Sequence, residues 1–370
     1  MIFIFLLITI PILAIIVNYK VYRLHISTLA GAPIMSIGVM MISVFTGDWI
    51  SPYVNDILLY FITVITLWVM IQYTLDLLQG VFYSSHMENP ISSFSMGTWI
   101  AAISVFIVVL PDKQIHTSSQ ILFFINLFLW FGYLGLVVRN YILIFKEIKK
   151  YIHHIHGGLL LPCVATQSIV ISGYNIYGIL FPKLYADILI MMGFLFYLLN
   201  LGLIVFRYIN LRNKDLTESW KNTNCIVHGA MSITGVSVIL SHFEAFYIID
   251  FIWIVSFTLF LIIEIIEIFR AIQRVKKLGW KQGILAYSPS QWARTFTFGM
   301  FLFFTERTPL GNNLLIDSMQ NLVLLFLPIL IVSIALVEVI LLSSQIYKNV
   351  TRKENNIHLS DHENSRSFPL

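Results

Sequence analysis

Ser288–Thr305, SPSQWARTFTFGMFLFFT, is an apolar stretch of eighteen residues that sets small side chains (Ala293, Thr295, Thr297, Gly299) among five phenylalanines. A helix that only faces lipid has no need of that mixture. A helix beside a narrow passage does, because small residues leave room and one bulky ring can close it. Phe298, followed directly by Gly299, is the ring this reading singles out as a plug. The alternative is that Phe298 is one of five rings packing a helix interface.

The surrounding composition places the stretch in a membrane. Of 370 residues, 58% are hydrophobic and 11% charged, and the mean hydropathy is +0.83. Soluble domains carry about a quarter charged residues, so this chain cannot cover a globular surface with polar groups. Several apolar runs reach the roughly 20 residues that cross a hydrocarbon core. The fold class expected is therefore an all-α polytopic membrane protein. A net charge of +4 does not point to nucleic acid, because the basic residues fall in loops. Cys163 and Cys225 sit in apolar segments and read as packed thiols. The sequence contains no CxxC, P-loop, GxSxG or HExxH pattern, so no metal, cofactor or enzymatic activity is expected.

Ten segments follow an N-terminal apolar stretch, at 29–46, 52–78, 91–110, 118–147, 159–178, 184–206, 225–243, 247–269, 288–305 and 319–346. Residues 1–17 lack a basic leading region and a cleavage site, which favours an extra helix over 1–26 rather than a signal peptide. The connections alternate in charge. One set, with the tail, holds 18 of the 23 Lys and Arg, whereas the opposite set holds only Lys113, Lys183 and Arg307. The positive-inside rule then puts the basic set and the C-terminus in the cytoplasm of a multi-pass cell-membrane protein. Residues 27–348 read as one ten-helix domain, and the polar tail 349–370 reads as disordered.

A second alternation concerns function. The odd-numbered segments carry 35 Gly, Ala, Ser and Thr, against 16 in the longer even-numbered ones. In lipid, small residues permit close backbone approach, and hydroxyls need a protein or water neighbour. Five inner helices and five lipid-facing ones, paired as successive hairpins, satisfy both demands; the plainer reading is tight packing without a channel.

Four short runs carry a resemblance. LAGAPIMSIG (29–38), ENPISSFSMGTW (88–99), LLLPCVATQS (159–168) and WARTFTFGM (292–300) resemble, in order, inner helices one, three, five and nine of one family. That family includes tellurite-resistance permeases, slow-type anion channels and malate or sulfite (dicarboxylate) transporters. The seventh segment departs from it, with HGAMSITG where the family usually has a proline. The resemblance implies a homotrimer in membrane lipid, each subunit having a central pore for inorganic or small organic anions. It implies that Phe298 is the pore gate. The expected lining is Gly38, Ser95, Thr98, Pro162, Thr166, His228, Gly229, Thr295 and Gly299, with Arg294 charging the pore mouth or snorkelling to the interface. Conduction through a phenylalanine-gated pore is the leading expectation; a proton-coupled C4-dicarboxylate, sulfite or tellurite transporter is the alternative.

The remaining charged residues read as structural. Glu264, Glu267, Arg270 and Arg274 share one helix face and suit a salt-bridged helix end. Asp76 and Glu338 suit pairing at bundle interfaces, and His153, His154 and His156 suit a solvated basic loop.

Overall fold

The computed structural model describes residues 26–46, 52–110, 112–210, 215–242, 246–309 and 314–365. The expected N-terminal helix over 1–26 lies, apart from Ile26, outside the described residues. Among the described residues there are ten principal helices: α1 Gly31–Ser43, α2 Pro52–Leu78, α3 Gly97–Val109, α4 Asp112–Lys146, α5 Leu161–Tyr177, α6 Lys183–Asn210, α7 Ile226–Ser241, α8 Phe246–Gly283, α9 Trp292–Arg307 and α10 Leu314–Ser365. No strand is present among the described residues.

Burial divides these helices into two kinds. In the most apolar stretch of each long helix, α2, α4, α6, α8 and α10, only 17–33% of residues are buried. For the spans ending in α3, α5 and α7 the share is 78–94%. Among the described residues, none of the exposed large hydrophobics lies on an odd-numbered helix, whereas Phe128, Phe131, Leu195, Ile329 and many others stud the even ones. Apolar rings turned outward in such numbers are a lipid-facing surface, because water would not tolerate a patch of that size. Eight helical spans among the described residues are long and apolar enough to cross a membrane. At about 1.5 Å per residue, α1, with its thirteen residues, covers only about 20 Å.

The five short buried helices pack side by side in a closed order, α1 on α3, α3 on α5, α5 on α7, α7 on α9, and α9 back on α1. Each of α2, α4, α6 and α8 packs against its preceding short helix and the next one, and α10 packs on α9. Glycine sets the spacing of this ring. A Cβ on Gly229 would strike the Thr297 side chain across the α7–α9 seam, one on Gly38 would strike Val105 across α1–α3, and one on Gly299 would strike Val39 across α9–α1.

Local signals start and stop these elements as the residues require. Asn89 caps the turn that opens at Pro90, its Oδ1 accepting from the backbone N–H groups of Ile91 and Ser92. Gly279, at φ 74°, breaks α8 and folds its last turn back, where Arg274 Nε donates to the carbonyl of Gly283 at 2.7 Å. Helix α10 runs on through the polar residues after Ser344 to Ser365. Extending a formed helix adds a backbone hydrogen bond per residue without a new nucleation step, which offsets the tail's polar composition.

The seams give a direct test of this packing. Gly229→Ala should lower stability in detergent by about 1–3 kcal/mol, the usual cost of overpacking. Gly132→Ala, on α4, adds a methyl group that meets no neighbouring atom, and it should be neutral or slightly stabilising. Thermal unfolding of the two variants checks the contrast.

Candidate functional site: the gap between the short helices

Where the five short helices face one another they leave a gap lined by Ile42, Ser104, Val105, Val108, Ser168, Ile171, Ile233, Met300 and Phe303. Every member of the ring contributes. The free volume is about 10 Å³, at the lower limit for a single water molecule. Most of the lining is branched or aromatic, with the Ser104 and Ser168 hydroxyls the polar exceptions. Both hydroxyls are held inside the protein: Ser104 Oγ accepts from Asn126 Nδ2 at 2.9 Å, and Ser168 Oγ donates to the Ala165 carbonyl at 2.8 Å. At this level the gap is narrow and largely apolar.

Toward one end the gap opens into a vestibule of about 610 Å³, which shares Ile42, Val108, Ile171 and Phe303 with it. Thr46, Asn55, Tyr174 and Asn175 bring polar groups to the vestibule, and Arg307 brings a charge. The guanidinium carbon of Arg307 stands 3.5 Å from the centroid of the Phe303 ring. A cation thus sits on the Phe303 ring, which lines both the gap and the vestibule.

Helix α9 has two working faces, and they separate the phenylalanines. Met300, Phe303 and Arg307 follow a helical stripe along the gap and vestibule. Phe298, Phe301 and Thr305 lie on the opposite stripe, toward α8. Phe298 is buried with its ring 5.0 Å from Phe260 and 5.8 Å from His228. Phe301 lies 5.4 Å from Phe260, and Trp253 Nε1 donates to Thr305 Oγ1 at 3.0 Å. Phe298 is therefore a packing residue between α7, α8 and α9 and does not line the gap.

The other expected lining residues are also absent from that surface. Gly38, Gly229 and Gly299 fill seams, because a glycine is needed where backbones meet and a larger side chain where the space must be filled. Thr98 Oγ1 donates to the Ser95 carbonyl at 2.8 Å, and Pro162 occupies the first turn of α5. Thr166 accepts from Trp130 Nε1 of α4 at 3.1 Å, so it faces outward. Thr295 is fully buried with its hydroxyl unpartnered, and His228 is buried with neither ring nitrogen hydrogen-bonded. Sequence reasoning misses Met300, Phe303 and Arg307. Their i, i+3, i+7 spacing is visible in the residues, but so is the rival stripe through Phe298.

At the far end of α9, Arg294 meets the charges of α8. Its Nη2 lies 2.9 Å from Glu267 Oε2, and its Nε lies 3.7 Å from Glu264 Oε1. Glu267 is buried and also takes Arg270 Nη1 at 3.2 Å and the indole N–H of Trp220 at 2.8 Å. The expected salt-bridged helix end is present, and Arg294 belongs to it. Asp76 pairs with the buried His86 at 3.1 Å, whereas Oε2 of the buried Glu338 has no hydrogen-bond partner.

His156 corrects the expectation of a solvated loop. Its Nδ1 accepts from the Gly158 backbone N–H at 3.0 Å and contacts Thr223 Oγ1 at 2.9 Å, which anchors the turn leading into α5. Burial, with Arg207 and Lys221 nearby, pushes its pKa down from 6.5 to about 4. Cys163 and Cys225 are buried free thiols. Among the described residues no cluster of His, Cys, Asp and Glu could hold a metal. No protein-family model matches the chain, and no curated protein sequence matches it.

Two outcomes test this arrangement. Glu267→Gln leaves two guanidiniums facing a neutral amide and should destabilise by about 3–5 kcal/mol, measured by unfolding in detergent. His156 is held neutral in the fold, so the unfolded chain binds the extra proton between pH 6.5 and 4. Stability should fall as pH drops through that window, and His156→Asn should flatten the slope.

Proposed function

We propose that this chain is a channel-like permease that conducts small anions through the ring of short helices, with Phe303 and Met300 as the closing side chains. The carrying observation is the apolar gap of about 10 Å³ that opens into a vestibule whose charged lining residue is Arg307. A hydrophobic constriction excludes water and ions until its side chains move. The arginine at its mouth concentrates anions in a low-dielectric cleft. On this reading the ten helices form five hairpins, short inner helix then long outer one, and the basic loops and C-terminus face the cytoplasm. The four sequence runs similar to tellurite-resistance permeases and slow-type anion channels support the same reading and extend it to a homotrimer.

The gate moves, on this proposal, from Phe298 to Phe303. The five-residue step places the ring on the face that lines the gap rather than on the face packed against α8. Selectivity then rests on size and on weak attraction from Arg307, which permits exit as well as entry.

A proton-coupled carrier for C4-dicarboxylates, sulfite or tellurite is the second reading, favoured by the acids Glu264 and Glu338 near Arg294. A flux assay in proteoliposomes, with and without a pH gradient, separates the two: strict coupling to the gradient excludes the channel.

Phe303→Ala should raise anion conductance in a planar bilayer by about tenfold or more, equivalent to about 1.4 kcal/mol off the barrier. Phe298→Ala should instead cost about 3–5 kcal/mol of stability without a comparable rise in conductance.

A further inference from the structure

A second cavity, of about 500 Å³, lies beyond the opposite end of α9, and it is not part of the ring. Neither α1 nor α3 contributes to its wall, while the outer helices α8 and α10 do, through Arg270, Arg274 and Glu338. Its volume is in the range of small-molecule sites.

The charges in its wall do not cancel. Lys221, Arg270, Arg274 and Arg294 face Glu267 and Glu338, which leaves an excess of two positive charges in the lining; Glu264, beside Arg294, lies outside it. Glu267 is consumed by Arg294, Arg270 and Trp220. Arg270 is more than nine-tenths buried, yet its Nε has no hydrogen-bond partner. That nitrogen is closed off from the cavity and Arg270 Nη1 is taken by Asn222 Oδ1 at 2.6 Å, so the residue contributes charge to the wall rather than a free donor. Lys221 is exposed at the rim.

Two further donors point to the kind of acceptor. His156 lines the cavity, and because its Nδ1 accepts from a backbone N–H, its proton is on Nε2. The turn that enters α9 is closed by a capping box between Ser288 and Gln291, and the Ser288 and Ser290 hydroxyls, 2.9 Å apart, stand in the cavity wall. Cationic side chains with hydroxyls and an imidazole N–H nearby suit tetrahedral oxyanions. The cavity is much larger than a bare phosphate, and Ile284, Tyr287 and Ile334 give it an apolar side.

We propose that this cavity binds a phosphate monoester carrying an organic group, its doubly charged head against Lys221, Arg270 and Arg274. The head can come from a soluble metabolite or from a membrane lipid, and both present the same chemistry. The site stands on the cavity alone and holds whether or not the chain conducts ions.

Isothermal titration of the purified full chain in detergent provides the test, at near-physiological salt. The probes are adenosine 5′-monophosphate for the soluble source and dioctanoyl phosphatidylinositol 4-phosphate for the lipid source, with adenosine as the uncharged control. Binding of either phosphate, and not of adenosine, is expected. Lys221→Gln, at an exposed position, should keep the fold and weaken binding by about tenfold, the factor for one lost charged contact. Arg274→Gln should do the same, with a melting curve confirming that the turn at Gly283 survives. A preference between the probes identifies the source. No heat with either phosphate up to millimolar concentration, or binding unchanged in Lys221→Gln and Arg274→Gln, overturns the proposal.

Discussion

The close approach of helices at glycine seams is the constraint on which the rest of this structure depends. Where Gly229 meets Thr297 and Gly299 meets Val39, there is no room for another carbon. Five short helices can therefore close a ring whose interior is about one side chain wide. Larger residues then fill the centre, and the gap shrinks to a volume that scarcely admits water. Without a strong hydrophobic driving force between helices in lipid, this packing and the buried hydroxyl contacts hold the ring together. The long helices complete it from outside, presenting Leu, Ile and Phe to the hydrocarbon.

Many hydroxyls of the ring helices are satisfied locally, whereas Thr295 and the ring nitrogens of His228 are not. Ser36, Ser43, Thr166, Ser172, Ser232 and Thr234 return their hydroxyl protons to carbonyls one turn earlier on their own helices. A hydroxyl bonded in this way leaves no donor to hold an ion in the interior. On α9, charge is confined to the two ends, with Arg307 in the vestibule beside Glu306 at 4.0 Å and Arg294 in the network around Glu267. One helix thus carries an apolar middle and ion-paired arginines at both ends. On the proposed reading, attraction acts in the Arg307 vestibule and the barrier acts at the gap.

Much of this is legible in the residues. The segment 52–78 is α2, Pro52–Leu78, because a proline opens it and a largely apolar run from Ile57 to Ile71 fills it. The alternation of small-residue-rich and Leu-rich segments matches the division between buried and lipid-facing helices, since both follow from which side chains backbones tolerate at close range. The lining of the gap is not legible. On α9 five phenylalanines occupy both faces, and nothing in the local pattern says which face turns inward; that is decided by Trp253, Phe257 and Phe260 on α8, about forty residues away in sequence. His156 reads as solvated for a similar reason, because the Thr223 that encloses it lies in another loop. Gly38, Gly229 and Gly299 read as pore residues, whereas their physical effect is to bring backbones together.

The most direct measurement of the proposed passage is the reactivity of a cysteine placed at Ile233, with Phe303 intact and with Phe303→Ala. The native Cys163 and Cys225 are buried and serve as the background. A membrane-impermeant thiol reagent applied from the vestibule side should modify Ile233→Cys slowly in the first protein and much faster in the second. Equal rates in the two proteins would contradict a passage closed at Phe303.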